Sequence, residues 1–463
     1  MKEAFKGFDE AKLSKNHLKI SLVAGMGFFT DAYDLFSISI VLYILTLFSE
    51  KNFPLNLKVF NMPLSSYLAV SAIVFAIVGQ LIFGFISDHL GRKKVYGLEA
   101  TILAVGAILS AISPNIYWLI ASRALLGIGI GGDYPVSSVI ASEYGNVRDR
   151  GKLIALVFSN QGLGIIAAVL VGIISVFTLP PSLSWRFILG FGAVPALLVI
   201  YFRRKMPETP RFSLKVKKDL EQVERAASYL GVSFEKKSAN LPKSDKISFT
   251  TFVRRYWKYL AGTTMTWFLM DIALYGTGVY SSFISSAIVP HLTTASLKEQ
   301  ITVIGLPYIV GLPGYFSAVA LIDRMGRKRL QILGFFGMSS IYLLTSYLFR
   351  YSAYFEATFA LFALSFYFIN LGPNTTTFVI PAEIYPTERR STGHGISAAA
   401  GKLGAAISVF YFPLLKSILG LSYLFLVLSL ISLAGIAFTL LLPETKGVSL
   451  EEVSKEAALQ YAF

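Results

Sequence analysis

Cysteine is absent from the 463 residues, which excludes disulfides, thiolate metal sites and a cysteine nucleophile. Histidine occurs four times and shows no ligand-like spacing, so no metal, no cofactor and no enzyme chemistry are expected. Charge is sparse as well: Asp, Glu, Lys and Arg make up 15% of the chain, against about 25% in a soluble protein. That shortage excludes an ordinary soluble enzyme and a disordered segment. Acidic residues are the scarcer sign, 27 against 42 basic, for a formal charge of +15. The remainder is apolar. Hydrophobic residues are 54% of the sequence and mean hydropathy is +0.61. They fall in blocks of roughly 20, each long enough to cross about 30 Å of hydrocarbon. The chain reads as a membrane protein.

Apolar runs and their charged breaks predict twelve helices near 18–48, 63–87, 95–113, 116–143, 151–178, 185–204, 255–286, 299–323, 328–349, 355–383, 391–417 and 420–442. The opening MKEAFKGFDEAKLSKNHLK is polar, and the stretch after it is too long for a signal h-region, so no cleavable signal is expected. Basic residues set the orientation. Of the 42 lysines and arginines, 34 lie in the N-terminal segment, the even-to-odd loops and the tail. That bias predicts both termini on the cytoplasmic side. It also accounts for the positive charge by topology, spread over seven segments, so nucleic-acid binding is not expected.

The two halves repeat each other. SDHLGRKK at 87–94 returns as IDRMGRKR at 322–329, and RKMPETPRF after helix six returns as LLPETKG after helix twelve. Glu143 with Arg150 and Gly151 returns as Glu383 with Arg390 and Gly393. The layout predicts a six-helix bundle over 1–204, a polar linker over 205–250 and a second bundle with a short tail over 251–463. Two similar bundles that rock about a midplane site are the physical basis of alternating access. The set Gly84, Asp88, Gly91, Arg92, Lys93 and Lys94, with its partial copy, resembles the loop motif of the major facilitator superfamily. PETPRF resembles the sugar-porter-like branch of it. The implied fold is an all-α membrane protein of two pseudo-symmetric bundles. Asp88, Arg92, Glu143, Arg150, Asp323, Arg327, Glu383 and Arg390 sit at helix ends, suited to charge pairs that hold an inner gate rather than to contact with a substrate.

Charges inside the spans need a reason, because a carboxylate near the bilayer centre costs roughly 2.5–3.5 kcal/mol on insertion scales. Helix one carries Asp31 and Asp34, helix four Asp133, helix seven Asp271 and helix eleven Lys402. Any one could be a satisfied polar residue between packed helices. Four acids and a lone lysine at similar depths point instead to a shared site. Trp267, Asp271 and Tyr275 stand at i, i+4 and i+8, on one helix face. In GPNTTTF, Pro373 removes a backbone donor beside Asn374, as in broken helices that line cavities. Gly127, Gly129, Gly131 and Gly132 read as a close-packing face, since no Walker-type lysine follows.

A fixed lysine favours an anion, and carboxylates that take up protons would tolerate one when protonated. Such a carboxylate can also accept a hydrogen bond from a protonated phosphate, which sulfate at neutral pH cannot offer. Residue chemistry thus reaches a proton-coupled anion symporter. GGDYPVSSVIASEY, GKLIALVFSNQGLG, GFFTDAYDLF and the block GPNTTTF to GHGISAAAGKLGA resemble the phosphate:proton symporter family, in its fungal and plant high-affinity form. The resemblance implies a phosphate site of Tyr134, Gln161, Trp267, Asp271, Tyr275, Asn374 and Lys402. It implies a proton route through Asp31, Asp34, Asp133 and Glu99, with Asp271 also taking part. Phosphate, protons and the lipid bilayer are the expected partners, in a monomer at the cell membrane. The rival reading is a symporter of another small anion or organic acid, because DAYD also resembles the DGYD of aromatic-acid symporters. Sugar fits less well, since a buried lysine is a poor partner for a neutral polyol. A receptor that binds without transport would need more output segment than the 21 residues after Leu442.

Overall fold

The computed structural model describes residues 2–48, 52–234, 247–289, 297–350 and 354–455. Its first half holds α1 (Lys2–Asp9), α2 (Lys15–Phe48), a hairpin of β1 (Lys58–Val59) and β2 (Met62–Pro63), α3 (Leu64–Leu90), α4 (Arg92–Val95) and α5 (Leu98–Ala111). It continues through α6 (Ile116–Tyr144), α7 (Arg150–Thr178), α8 (Pro181–Phe191) and α9 (Ala193–Arg204). The short α10 (Pro210–Phe212) and α11 (Leu220–Leu230) occupy the connecting stretch. The second half holds α12 (Phe249–Val279), α13 (Ser281–Ile288), α14 (Leu297–Met325), α15 (Arg327–Phe349), α16 (Phe355–Leu371), α17 (Pro373–Ile384) and α18 (Arg390–Thr439), then α19 (Leu450–Val453) in the tail.

The chain is a multi-pass helical membrane protein. Ten segments among the described residues are long and apolar enough to cross a membrane. The polar-rich α12 is not one of them, and α18 enters as part of a single segment. As a straight rod, its 50 residues would run about 75 Å, far beyond one bilayer. The rod is broken at Gly420, whose φ of 73° lies in the left-handed region. Against the twelve predicted spans, ten segments among the described residues qualify; α12 does not, and α18 counts once although Gly420 breaks it into two limbs. The stretch over 205–250 is less loop-like than its polarity suggests. Asp219 accepts from the Gln222 amide at 3.1 Å to start α11, and Gly231 ends it. Residues 235–246 lie outside the described residues.

The repeat also encodes its own turns. Gly91 and Gly326 adopt φ of 110° and 95° at the same point of the two GRK motifs. Each lets a long helix stop and a new one begin at the following arginine. Within the first half α3 packs on α6, α5 on α6 and α2 on α7; within the second, α12 and α15 pack on α18 and α14 on α16. The halves meet where α3 crosses α18 and where α7 crosses α14. Outward faces carry exposed Leu81, Ile82 and Phe85, Ile174 and Phe177, and Leu430 and Leu433, the belt that lipid covers.

The glycines of α6 serve contact, as expected. Gly127 and Gly131 face Ala72 and Ala76 of α3, while Gly129 and Gly132 face Glu99 and Leu103 of α5 and Phe83 of α3. A Cβ at Gly131 would lie 2.8 Å from the Gln80 amide nitrogen, and backbone cannot yield cheaply. Gly131→Val should therefore lower the melting temperature in detergent, at a cost of about 1–3 kcal/mol. Ile108→Val, on an exposed face, should leave it unchanged in the same thermal-shift measurement.

Candidate functional site

Two groups of charged side chains lie inside the bundle and a third closes one end. The deepest contains Lys402, about 18 Å along α18, and Asp271 of α12. Their side chains meet at 3.0 Å and both residues are buried. Tyr134 of α6 and Tyr275 of α12 turn ring faces toward the ammonium, at 4.8 and 4.4 Å. Aromatic faces attract a cation by their quadrupole, so the rings offer an ammonium partial compensation for the aqueous shell it lacks there. The helical spacing of Trp267, Asp271 and Tyr275 does bring all three to one buried face. Trp267 supports the Asp271 carboxylate and packs 6.1 Å from the Tyr134 ring.

Asn374 stands at the start of α17, just after the break at Gly372 and Pro373. It donates to Tyr315 at 3.0 Å and to Asn370 at 2.8 Å. Gln161 is buried on α7, its Oε1 without a hydrogen-bond partner among the described residues; the neighbouring Gly162 faces Tyr315 and Leu312. Sequence reasoning missed Tyr315, which lies between the Asn374 amide and Phe158. It also missed the rings of Phe28, Phe158 and Phe378, which stack beside Tyr134. Apolar residues in an apolar helix carry no signal of their own there.

The second group belongs to the first half. Asp31 of α2, Glu99 of α5 and Asp133 of α6 line one small void with Gly27, Thr30 and Arg203. The space for a water centre is about 10 Å³, room for about one molecule. Asp34 sits one turn along α2, its carboxylate against Gly192 and its carbonyl accepting from Arg123 at 2.7 Å. Arg203 corrects an expectation: counted with the basic linker, it is instead buried inside the bundle. Consecutive residues of α6 thereby serve both groups, with Asp133 facing Arg203 and Tyr134 facing Lys402.

The third array lies at the end where the terminal segments meet. Arg92 pairs with Asp88 and Glu143, both at 3.1 Å, and Arg327 pairs with Asp323 at 2.7 Å and Glu383 at 2.9 Å. The crossing pairs join the halves: Arg390 to Glu143 at 3.0 Å and Arg150 to Glu383 at 2.8 Å. Asp88 also accepts from the amides of Ser391 and Thr392 at the start of α18, at 3.2 and 2.7 Å. Asp323 likewise accepts from the Lys152 amide at the start of α7, at 2.7 Å. Each half therefore caps a helix of the other. The PET repeats, noted in the sequence only as a match, supply the missing members. Glu208 accepts from the amides of Arg92 and Lys93, Glu444 from those of Arg327 and Lys328. Thr209 donates to Glu143 and Thr445 to Glu383. Outside this ring Arg211 joins three parts of the chain, reaching Asp9 at 2.5 Å and Glu451 at 3.0 Å.

A family model described as "Sugar (and other) transporter" matches residues 20–457. "Probable inorganic phosphate transporter 1-6" of Arabidopsis thaliana is 39% identical over 97% of this chain and 96% of its own length. "Low affinity inorganic phosphate transporter 1" of Petunia hybrida is 38% identical over 97% and 94%. Among solved structures, the xylose transporter XylE from E. coli in a partially occluded inward open conformation has a TM-score of 0.75. It is 18% identical over 93% of this chain and 99% of that one. At that identity the likeness concerns the fold.

Burial alone would raise the Glu451 carboxyl, but Arg211 and Lys215 more than offset it and hold the group well below the usual carboxylate range. A depressed carboxyl contributes stability that is complete above the unfolded value of about 4.3 and is lost as pH falls through the folded value. Glu451→Gln should lower stability at pH 7 by about 1–3 kcal/mol and flatten the acid limb of the melting curve. An unchanged melting temperature across pH 4–7 would contradict the assignment.

Proposed function

The chain belongs to the sugar (and other) transporter family and, within it, to the inorganic phosphate transporters, and from that membership we propose that it imports inorganic phosphate together with protons by alternating access. The observation that carries the reading is the buried Lys402–Asp271 pair under the rings of Tyr134, Trp267 and Tyr275. A cation in hydrocarbon is costly to keep, and an ammonium already matched to a carboxylate has no structural need of such polar company. It does have a chemical use. An entering anion can displace Asp271 from Lys402, and the freed carboxylate is then neutralised by a proton or by the acidic hydroxyl of dihydrogen phosphate. Tyr134, Gln161, Trp267, Tyr275 and Asn374 carry the hydrogen-bond donors that would surround four phosphate oxygens.

Asp31, Asp34, Asp133 and Glu99 form the proton route in this reading, one helix-width from the anion. The eight residues Asp88, Arg92, Glu143, Arg150, Asp323, Arg327, Glu383 and Arg390 form the inner gate, which must break for release inward. The basic bias of the loops places that gate and both termini on the cytoplasmic face of the cell membrane. One copy of the chain contains every group the cycle uses, so it works as a monomer.

Asp271→Asn and Lys402→Gln, reconstituted in proteoliposomes, should each cut phosphate uptake driven by an acidic exterior by more than about tenfold, as expected when one partner of a buried charge pair is lost. Normal uptake by Asp271→Asn across several pH values would overturn the role given to that carboxylate. Arsenate should compete with labelled phosphate while sulfate and benzoate should not. Competition by benzoate would favour an organic acid as the cargo.

A further inference from the structure

Arg203 stands one residue from the end of α9, where a basic side chain ordinarily reaches out of the membrane. It turns inward instead. Nη1 meets Glu99 of α5 at 2.7 Å, and Nη2 meets Asp133 of α6 at 2.5 Å with Ser137 at 3.3 Å. The Tyr96 ring covers Cζ at 4.0 Å. From α2 the guanidinium is faced by Gly27, where a Cβ would approach Asp133 and Arg203 together. Asp31 lies one turn further along the same helix and lines the same void. Asp31 Oδ2 and Asp133 Oδ2 are buried without hydrogen-bond partners among the described residues.

The charge count does not close. Two carboxylates, Glu99 and Asp133, pair with one guanidinium and a third, Asp31, lines the same void, while the next acid, Asp34, faces Arg123. Fully ionised, the cluster would keep two uncompensated negative charges in a space for one water. Like charges that close oppose one another's ionisation, so full ionisation of the cluster is disfavoured and the one cation limits how much of it can be offset. Asp133 is joined through the backbone to Tyr134, which faces Lys402, so the state of this cluster borders the anion site.

We propose that Arg203 is the coupling cation of this carrier: it takes the place of a departing proton on the Asp31–Glu99–Asp133 cluster and so makes proton release possible at the pH of the cytoplasm. The proposal rests on the phosphate–proton reading above. In the release step a carboxyl O–H bond breaks, the proton passes to water in the void, and the freed oxygen accepts a guanidinium N–H. Arg203 neither touches the anion nor gives up a proton itself. It is a positioning residue for charge, and its loss strands the proton on the carboxylates. Without release the loaded carrier can still shuttle phosphate in both directions, but it cannot return empty.

The test reconstitutes the full chain and reads two quantities: exchange of labelled phosphate without a pH gradient, and accumulation driven by a gradient at several internal pH values. Arg203→Gln should keep exchange within about twofold of wild type and lose at least about tenfold of accumulation at internal pH 7, recovering as the interior is made alkaline by one to two units. Arg203→Lys, which keeps the charge, should hold the wild-type internal-pH profile. Arg203→Gln combined with Glu99→Gln removes one cation and one anion and should regain part of the accumulation. An Arg203→Gln carrier with the wild-type profile overturns the proposal. So does equal loss of exchange and accumulation in both single variants, which marks a merely structural arginine. Wild-type liposomes that exchange no phosphate would instead overturn the transport reading itself.

Discussion

A charge buried in hydrocarbon must be neutralised where it stands, and the protein's interior is organised around that requirement. At the closed end it is met by reciprocal pairing, with Glu143 and Glu383 each shared between arginines of both halves. At mid-depth it is met by one lysine, one aspartate and aromatic faces. In the first half it is met only in part, because acids outnumber the guanidinium they surround. An array with matched charges or amide donors is neutralised within the protein; one with surplus carboxylates leaves a place for protons.

The duplicated sequence explains the first of these and not the others. Gly91 and Gly326, Asp88 and Asp323, Glu143 and Glu383, Glu208 and Glu444 occupy matching places, so the closed end is close to two-fold symmetric. Symmetry suits a seam that two similar bodies must make and break. The interior departs from it. Lys402 and Asp271 come from the second half, and the acids around Arg203 come from the first. The interior charge arrays thus differ between the halves while the seam they share stays alike.

Much of this was legible in the residues alone. Long apolar blocks announced the membrane, the GRK repeat announced the two bundles, and the intramembrane acids announced themselves by cost. The break at Pro373 was visible as a proline in an apolar run, and the bend at Gly420 falls at the boundary drawn between the spans 391–417 and 420–442. Arg203 was not legible, because a basic residue at a helix end looks the same whether it reaches into water or folds back into the bundle. Only the packing of α9 against α2 and α5 decides that. Tyr315 was hidden for a related reason: an aromatic residue in a membrane helix is ordinary until its hydroxyl is seen on an amide. Glu208 and Glu444 were seen as a pattern, but their acceptors are backbone amides across a turn, which no spacing rule reveals.

The exchanged caps at Asp88 and Asp323 have a further physical meaning. Each aspartate covers the first amides of a helix in the opposite bundle, so parting the bundles uncovers the positive poles of α18 and α7 at the same moment. The widening vestibule would then be lined by bare N–H groups whose dipoles point toward its axis. The two capping interactions are therefore lost and regained together, whichever half moves.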